Sequence, residues 1–442
     1  MILLDELQTT LNSFPKADCY WVAYSGGCDS HVLLHALYTL SQLNPTNFNI
    51  AALHVDHGLQ ASAKMWANHC KHVCVDLKIK FKLIKVNAKA ESGQSPEAAA
   101  RDARYKAIAE FIPEKDILLV AHHQDDQAET LLLQLLRGAG PRGLSAMPKG
   151  KFLGKNRVLR PFLMISQKII LEYADQNKLK WIEDPSNTEI RFDRNRIRHE
   201  VLPVLKKRWP SLSETLSRVT HYQAEAVACL HELAELDLLN IKSSRDEDGI
   251  SIPKLTLLSS ARQKNVCRYW IEQNSLDAID STHLNRIFNE VIPAAIDSQP
   301  MVEWLNTRVC RYRGILYVLA IEKLDKSAVS QNWLLTNAIE LAQQRLVSQQ
   351  TVGDGIKQSL IPDGIVKICF RQGGERCQPK GRDNHHSLKK LFQEWAVPPW
   401  MRSQIPLIYI GNELVQIVGY CLCEPYAAGP NEPGISIKSE TL

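Results

Sequence analysis

The chain contains no GxxxxGK(S/T) segment, which excludes a Walker-type loop that cuts nucleotides at the γ-phosphate. No two cysteines stand at CxxC spacing: Cys70 and Cys74 are four apart, and Cys421 and Cys423 two apart. Structural zinc is therefore not expected. Long apolar runs are missing as well. Stretches such as 117–121 fall far short of the ~20 residues a membrane-spanning helix needs. The N-terminal segment has acidic residues and no basic n-region, so it does not read as a signal peptide. The 11 cysteines are odd in number and scattered, with Cys267, Cys310 and Cys369 inside apolar runs, which points to a reduced, cytoplasmic chain. Internal repeats are not visible.

What is present is an ordinary globular composition, 45% apolar and 23% charged. At 442 residues one core is not enough, and two or three domains are expected. The net charge of +5 is by itself weak evidence for a polyanionic partner.

Over the first ~140 residues, short β-rich runs alternate with helical apolar spacing. Strands are predicted at 19–24, 48–55, 81–86 and 116–121, and helices at 31–40, 61–77, 97–111 and 125–136. Ser95 is the expected N-cap of the third helix, with Pro96 at its first position. This alternation implies a doubly wound α/β domain with a parallel sheet, whose ligands sit at the carboxyl ends of the strands. Those ends are 25–30, 54–58 and 122–126, also the most polar stretches. From about 166 the pattern turns helical, with β-rich segments at 301–321. Residues 327–362 are polar and Gln-rich, expected as a partly helical crossing. The last ~85 residues read as a small α+β unit with one helix at 387–395 and a hairpin turn at Gly411-Asn412. The expected domains are 1–215, 216–330 (mainly helical) and 360–442.

The first chemical signal is Ser25, Gly26, Gly27, Cys28, Asp29 and Ser30, directly after a strand and opening a helix. Two glycines let the backbone turn sharply, and the amides converge with the positive end of the helix to make an anion site. Ser25 and Ser30 add hydroxyl donors, while Asp29 implies a bridging cation, Mg²⁺. A lone SGG would read better as a capped turn; the full hexapeptide between strand and helix does not.

This hexapeptide resembles the SGGxDS loop of the PP-loop ATP pyrophosphatases. The resemblance implies ATP cleavage at the α-phosphorus, with a substrate oxygen adenylated and pyrophosphate released. Further segments narrow it: HVDHGL at 54–59, PEAAARDARY at 96–105, AHHQDDQAET at 121–130, RGAG at 137–140, WIEDPSN at 181–187 and DRNRIR at 193–198. With LKKLFQEW at 388–395 and PPWMR at 398–402, nearly the whole chain is similar to the tRNA(Ile)-lysidine synthase family in its longer, three-domain form. That likeness implies a ligase joining free lysine to C2 of the wobble cytidine in the CAU anticodon of tRNA(Ile). The C2 oxygen is first adenylated by ATP, and the lysine ε-amine then displaces AMP.

It also suggests roles. His122 and Asp126, four apart at a helix start, could project toward one ligand. Asp29 and Asp126 could share Mg²⁺, or one could take a proton from the lysine ammonium. Arg101 and Arg104 could offset charge on the α-phosphate, without a choice between them. His54 belongs to the loop that the family places near adenosine, and metal binding there is not expected. Asn187, Arg194, Asn195 and Arg198 match a signature at the site rim, for lysine or tRNA. Basic clusters at 149–160, 191–198, 206–208 and 380–390, the last near Trp395 and Trp400, fit phosphate contacts and stacking on splayed bases. Three rivals stand beside this reading: a PP-loop tRNA thiolase, which would require reactive cysteines or an iron–sulfur cluster; a non-catalytic tRNA-binding protein; and a small-molecule amidating ligase.

Overall fold

The computed structural model describes residues 2–43, 49–56, 63–86, 96–243, 249–275, 277–295, 298, 300–321, 330–341 and 344–441. It divides into two units, Met1–Leu236 and Asp237–Leu442.

The first unit opens with α1 (Ile2–Asn12), β1 (Tyr20–Ala23), α2 (Cys28–Leu43), β2 (Ile50–Asp56), α3 (Ala63–Asp76), β3 (Lys80–Lys85), α4 (Pro96–Phe111), β4 (Ile117–Leu119) and α5 (Gln124–Leu136). There follow α6 (Pro141–Leu144), β5 (Gly150–Leu153), β6 (Asn156–Leu159), α7 (Gln167–Gln176), α8 (Asp193–Arg196), α9 (Leu202–Arg208) and α10 (Leu212–Ile241), the last reaching into the second unit. The predicted alternation is borne out. Helix α4 starts at Pro96, while its expected cap Ser95 lies outside the described residues, as do His57, Gly58 and Leu59.

The six strands run in the order β3-β2-β1-β4-β6-β5, parallel except for the β5–β6 edge hairpin. Period-two alternation splits β1 between two cores. Tyr20, Val22 and Tyr24 pack with Leu33, Leu37 and Ile170 on one face, and Trp21 packs with Ile108, Ile112 and Val158 on the other. The Trp21 indole donates to the buried Asp116 carboxylate at 2.9 Å, which satisfies both groups.

Strand order fixes where a ligand can enter. After β1 the chain moves outward to β2 and β3, then returns to β4 on the other side of β1. The connections therefore diverge between β1 and β4, opening a crevice at their carboxyl ends. The loops after these two strands are residues 24–27 and 120–123, the SGG turn and the double histidine.

The second unit begins with β7 (Ile250–Ser251), α11 (Ile252–Leu255), α12 (Ser260–Asn274), α13 (Ser281–Arg286), β8 (Met301–Trp304), β9 (Thr307–Tyr312) and β10 (Ile315–Ala320). These four strands form one antiparallel sheet beside the helices of the helical middle region. The remaining strands are β11 (Ser330–Leu334), β12 (Ile339–Leu341), β13 (Gln344–Val352), β14 (Ile356–Lys357), β15 (Ile365–Cys369), β16 (Arg376–Cys377) and β17 (His386–Ser387). Helix α14 (Leu388–Glu394), β18 (Leu407–Ile410), β19 (Glu413–Ile417), β20 (Cys421–Leu422) and β21 (Pro433–Thr441) complete the order. The Gly411-Asn412 hairpin forms as expected, between β18 and β19, with Gly411 at φ 60°.

One expectation holds only at its end. The described residues of the Gln-rich stretch at 327–362 are mostly strand, with a 3₁₀ turn at Gln358–Leu360 as the helical part. The stretch supplies β11, which pairs with β15, and β13, which pairs with β21 along nine residues. Most of β13 is exposed or half-buried, so its sequence carries little of the alternation that marks a strand.

Candidate active site at the β1–β4 crevice

The SGG turn is held by its own hydroxyls. Ser25 Oγ and Ser30 Oγ lie 3.0 Å apart, the Ser25 amide donates to Ser30 Oγ, and Ser30 Oγ donates to the Gly27 carbonyl at 3.0 Å. The Ile182 amide donates to the Gly26 carbonyl at 2.9 Å, tying the turn to the WIEDPSN segment. Gly26 sits at φ +90°, and an added Cβ would lie 3.0 Å from Cys70 Sγ. Helix α2 begins at Cys28, so its first amides lack helical partners and face the turn as anion donors. Gly26→Ala should thus strain the backbone and raise the KM for ATP roughly tenfold, in a pyrophosphate-release assay with saturating tRNA.

Across the crevice, His123 is the extended N-cap of α5, with φ −124° and ψ −174°. Its Nδ1 accepts from the Asp125 amide at 3.2 Å, and its own amide donates to Asp126 Oδ2 at 2.9 Å, a reciprocal capping box. This cap turns Nε2 toward two carboxylates: Asp29 at 3.7 Å and Asp126 at 3.6 Å. His123 is 3% exposed. The structure thereby brings Asp29 and Asp126 together, as expected, around a residue not singled out from the sequence. His122 has a different partner, accepting at Nδ1 from the fully buried Arg160 at 3.1 Å.

Behind Asp126 lies a network of four charged groups. Arg194 donates to Asp126 Oδ1 at 2.9 Å and to Glu129 Oε2 at 2.7 Å. Arg198 donates to Glu129 through Nε at 2.6 Å and to Asp126 Oδ1 at 3.4 Å. Lys206 donates to Asp125 at 2.9 Å. Two arginines expected at a substrate rim therefore hold the carboxylates of α5. Asn195 donates to the Glu189 carbonyl, and the Asn187 side chain lies outside the described residues.

Burial would push the Asp126 carboxyl up, but His123, Arg194 and His122 hold it down at about 2. The Asp29 carboxyl is raised, by burial first and by the nearby Asp126 and Glu129 charges, against the pull of His123 and Arg198. A carboxylate crowded by negative charge suits a divalent cation, so the donor set fits Mg²⁺ at Asp29. Both Asp126 oxygens already accept hydrogen bonds, which makes it the poorer ligand. Because the folded carboxyl of Asp126 lies below its ordinary 3.8, its contribution is complete above that pH and fades as pH falls toward about 2. Across that window wild type should lose about 2 kcal/mol more than Asp126→Asn, measured by denaturant unfolding at each pH.

His54 is buried under the turn, Nδ1 at 2.8 Å from the Tyr24 carbonyl and 3.6 Å from Cys70 Sγ. Arg104 lies with its guanidinium 5.7 Å from the Tyr105 ring centroid, and Lys151 Nζ is 5.0 Å from the same ring. The Arg101 side chain lies outside the described residues. Cys28 is raised to about 12, by burial and then by Asp29, which makes it a weak nucleophile. Among the expected tRNA contacts, Arg160 is buried, whereas Lys155, Lys207, Arg208, Lys389 and Lys390 are exposed. The Trp400 and Trp395 rings pack on Tyr317 and Tyr420, at centroid distances of 5.0 and 5.4 Å. No described helix is long and apolar enough to cross a membrane.

His123 and Glu129 were given no role from the sequence, and Lys206, expected among the tRNA-facing basic residues, pairs with Asp125 instead. His123 and Glu129 both stand inside the AHHQDDQAET motif, and that was the available signal.

The chain resembles known proteins along most of its length. Family models match in three stretches: a PP-loop domain over residues 3–205, a TilS substrate binding domain over 250–317 and a TilS substrate C-terminal domain over 366–439. A tRNA(Ile)-lysidine synthase from Coxiella burnetii is 42% identical, over 97% of this chain and 94% of that one. One from Methylococcus capsulatus is 37% identical over 95% of both. Among solved structures, the U34-tRNA thiolase NcsA from Methanococcus maripaludis matches 51% of this chain and 79% of its own, at 18% identity and a TM-score of 0.43. Its family-model matches and its full-length relatives agree: this chain belongs to the tRNA(Ile)-lysidine synthase family of tRNA-modifying ligases.

Proposed function

We propose that this enzyme joins free lysine to C2 of the wobble cytidine in the CAU anticodon of tRNA(Ile), at the expense of ATP. The observation that carries the reading is the pairing of a hydroxyl-locked SGG turn with the Asp29–His123–Asp126 group across one crevice. A cytosine carbonyl is a poor electrophile without a leaving group. Attack of its oxygen on the α-phosphorus forms a C2–O–AMP bond and expels pyrophosphate. The lysine ε-amine then bonds to C2, and AMP departs with the former C2 oxygen. AUG reading becomes AUA reading.

The turn amides of residues 26–30 and the hydroxyls of Ser25 and Ser30 bind the outer phosphates, with Asp29 as ligand to Mg²⁺. That ion, when bound, offsets phosphate charge. Asp126 is too acidic at about 2 to deprotonate an ammonium, and it serves instead to orient His123. The base role left open between the two carboxylates falls to Asp29, once pyrophosphate has left. Arg101 or Arg104 offsets charge on the α-phosphate, and His54 supports the adenosine loop. Asn187 and Asn195 are assigned to the lysine or tRNA rim.

Residues 1–215 form the catalytic part, and the parts at 216–330 and 360–442 hold the tRNA. On that division, joint Lys389→Glu and Lys390→Glu should raise the KM for tRNA roughly tenfold and leave that for ATP unchanged. Equal effects on both would remove the C-terminal part from tRNA binding.

The whole reading is tested by mass spectrometry of isoleucine tRNA incubated with ATP, Mg²⁺ and lysine. A lysine-sized addition at the wobble cytidine is expected, and without lysine an adenylated tRNA. ADP and orthophosphate as products would refute it. A sulfur-sized addition would favour the thiolase, against which the weak nucleophile Cys28 already argues.

A further inference from the structure

The absence of CxxC spacing made structural zinc unexpected, yet three thiols distant in sequence meet in the second unit. The Sγ atoms of Cys377, Cys421 and Cys423 all lie within 4.8 Å of one another. Cys377 ends β16, and Cys421 starts β20 with Cys423 directly after that strand. Two backbone bonds lock the segments together: Glu424 N to the Gln378 carbonyl at 2.8 Å and Lys380 N to the Leu422 carbonyl at 2.9 Å. Positions two apart on extended chain point to one face, so Cys421 and Cys423 both turn toward Cys377.

We propose that Cys377, Cys421 and Cys423 form a thiolate site for a soft divalent cation, Zn²⁺, with solvent at the fourth position. Tetrahedral zinc with bonds of about 2.3 Å places its sulfurs roughly 3.8 Å apart, so closing this triad requires a contraction of at most about 1 Å. Cys377 and Cys423 are buried, and Cys421 is half-buried, leaving an entry path on its side. The three thiols share hydrogen bonds, which lower Cys377 and raise Cys421 and Cys423. His386 pairs directly with Cys377 across β16–β17, and Cys421 is raised, by Cys377 first, with the Arg382 charge opposing that rise without reversing it. Three thiolates and one dication leave a single negative charge. Zinc binding displaces the remaining thiol protons to solvent and involves no redox change.

The site would staple the loop that precedes α14, with its exposed Lys389 and Lys390, to the strand beyond β19. The packing alternative is three small apolar side chains at the edge of the core around Leu388, Phe392 and Leu414. A core of that kind does not gather three sulfurs around one point.

The full-length chain, expressed with zinc and dialysed, should carry one equivalent of metal by mass spectrometry of the elements. Replacement by Co²⁺ should give the thiolate-to-cobalt charge-transfer band, and chelation should free three additional thiols to a thiol reagent. Cys377→Ser and Cys423→Ser should each lose the metal, while Cys229→Ser, an exposed cysteine on α10, should keep it. Wild type without bound metal or charge-transfer band would overturn the proposal, whatever the variants do. So would a disulfide joining two of the three cysteines, or full metal retention in both serine variants.

Discussion

Asp29→Asn should lower the rate of adenylate formation by about 10³-fold, with little change in tRNA binding. Asp29 opens α2 directly behind the phosphate turn and is the carboxylate left most available, 39% exposed against 11% for Asp126. The outer phosphates of ATP carry charge that the turn amides alone do not balance, and the proposed cation at Asp29 would supply the rest. Asparagine keeps the size and the start of the helix while removing the negative charge. The loss should therefore appear in kcat rather than stability. Pyrophosphate release from ATP and tRNA in the absence of lysine isolates this step from amine attack. If Asp29→Asn turned over at the wild-type rate, the assignment of the crevice would fail.

Glu129→Ala should destabilise the first unit by about 3 kcal/mol, seen as a shift of the denaturant midpoint. The Glu129 side chain is 1% exposed and accepts from both Arg194 and Arg198. Removing it leaves two guanidiniums facing each other, one of them 22% exposed. Their charge raises the cost, because neither arginine gives up its proton: Asp126 and Glu129 raise both above the ordinary value despite burial. Arg198, at 36% exposed, can turn to water, which keeps the loss at the lower end of the range for broken buried pairs. Glu129→Gln should cost less, since one acceptor oxygen survives. Activity should fall too, because Arg194 also holds the carboxylate that caps His123. A midpoint unchanged in Glu129→Ala would show the network to be dispensable.

The reading of the double histidine shows what spacing can and cannot decide. A four-residue step from His122 to Asp126 predicts a shared face only where both residues are helical. Helix α5 begins at Gln124, and His123 is extended. The helical rule does not apply across that boundary, so the neighbouring ring faces Asp29. Arg194 in α8 and Arg198 in the π-helical turn after it both reach Glu129, but nothing local reveals a partner 65 and 69 positions earlier. The Gln-rich strand β13 was missed for a related reason: its partner β21 is almost the last segment of the chain.

By itself the sequence determined the α/β order of the first unit, the strand–SGG–helix turn at 25–30 and the family. Each is written in contiguous residues: a strand, two glycines and a helix start need only neighbours along the chain to take shape. Tertiary structure alone decided which imidazole stands between the two aspartates, which acids the arginines neutralise, and that Cys377 meets Cys421 and Cys423. Those are meetings of segments distant in sequence, set by strand order and packing, and a one-dimensional pattern does not encode which side chains converge when the layers close.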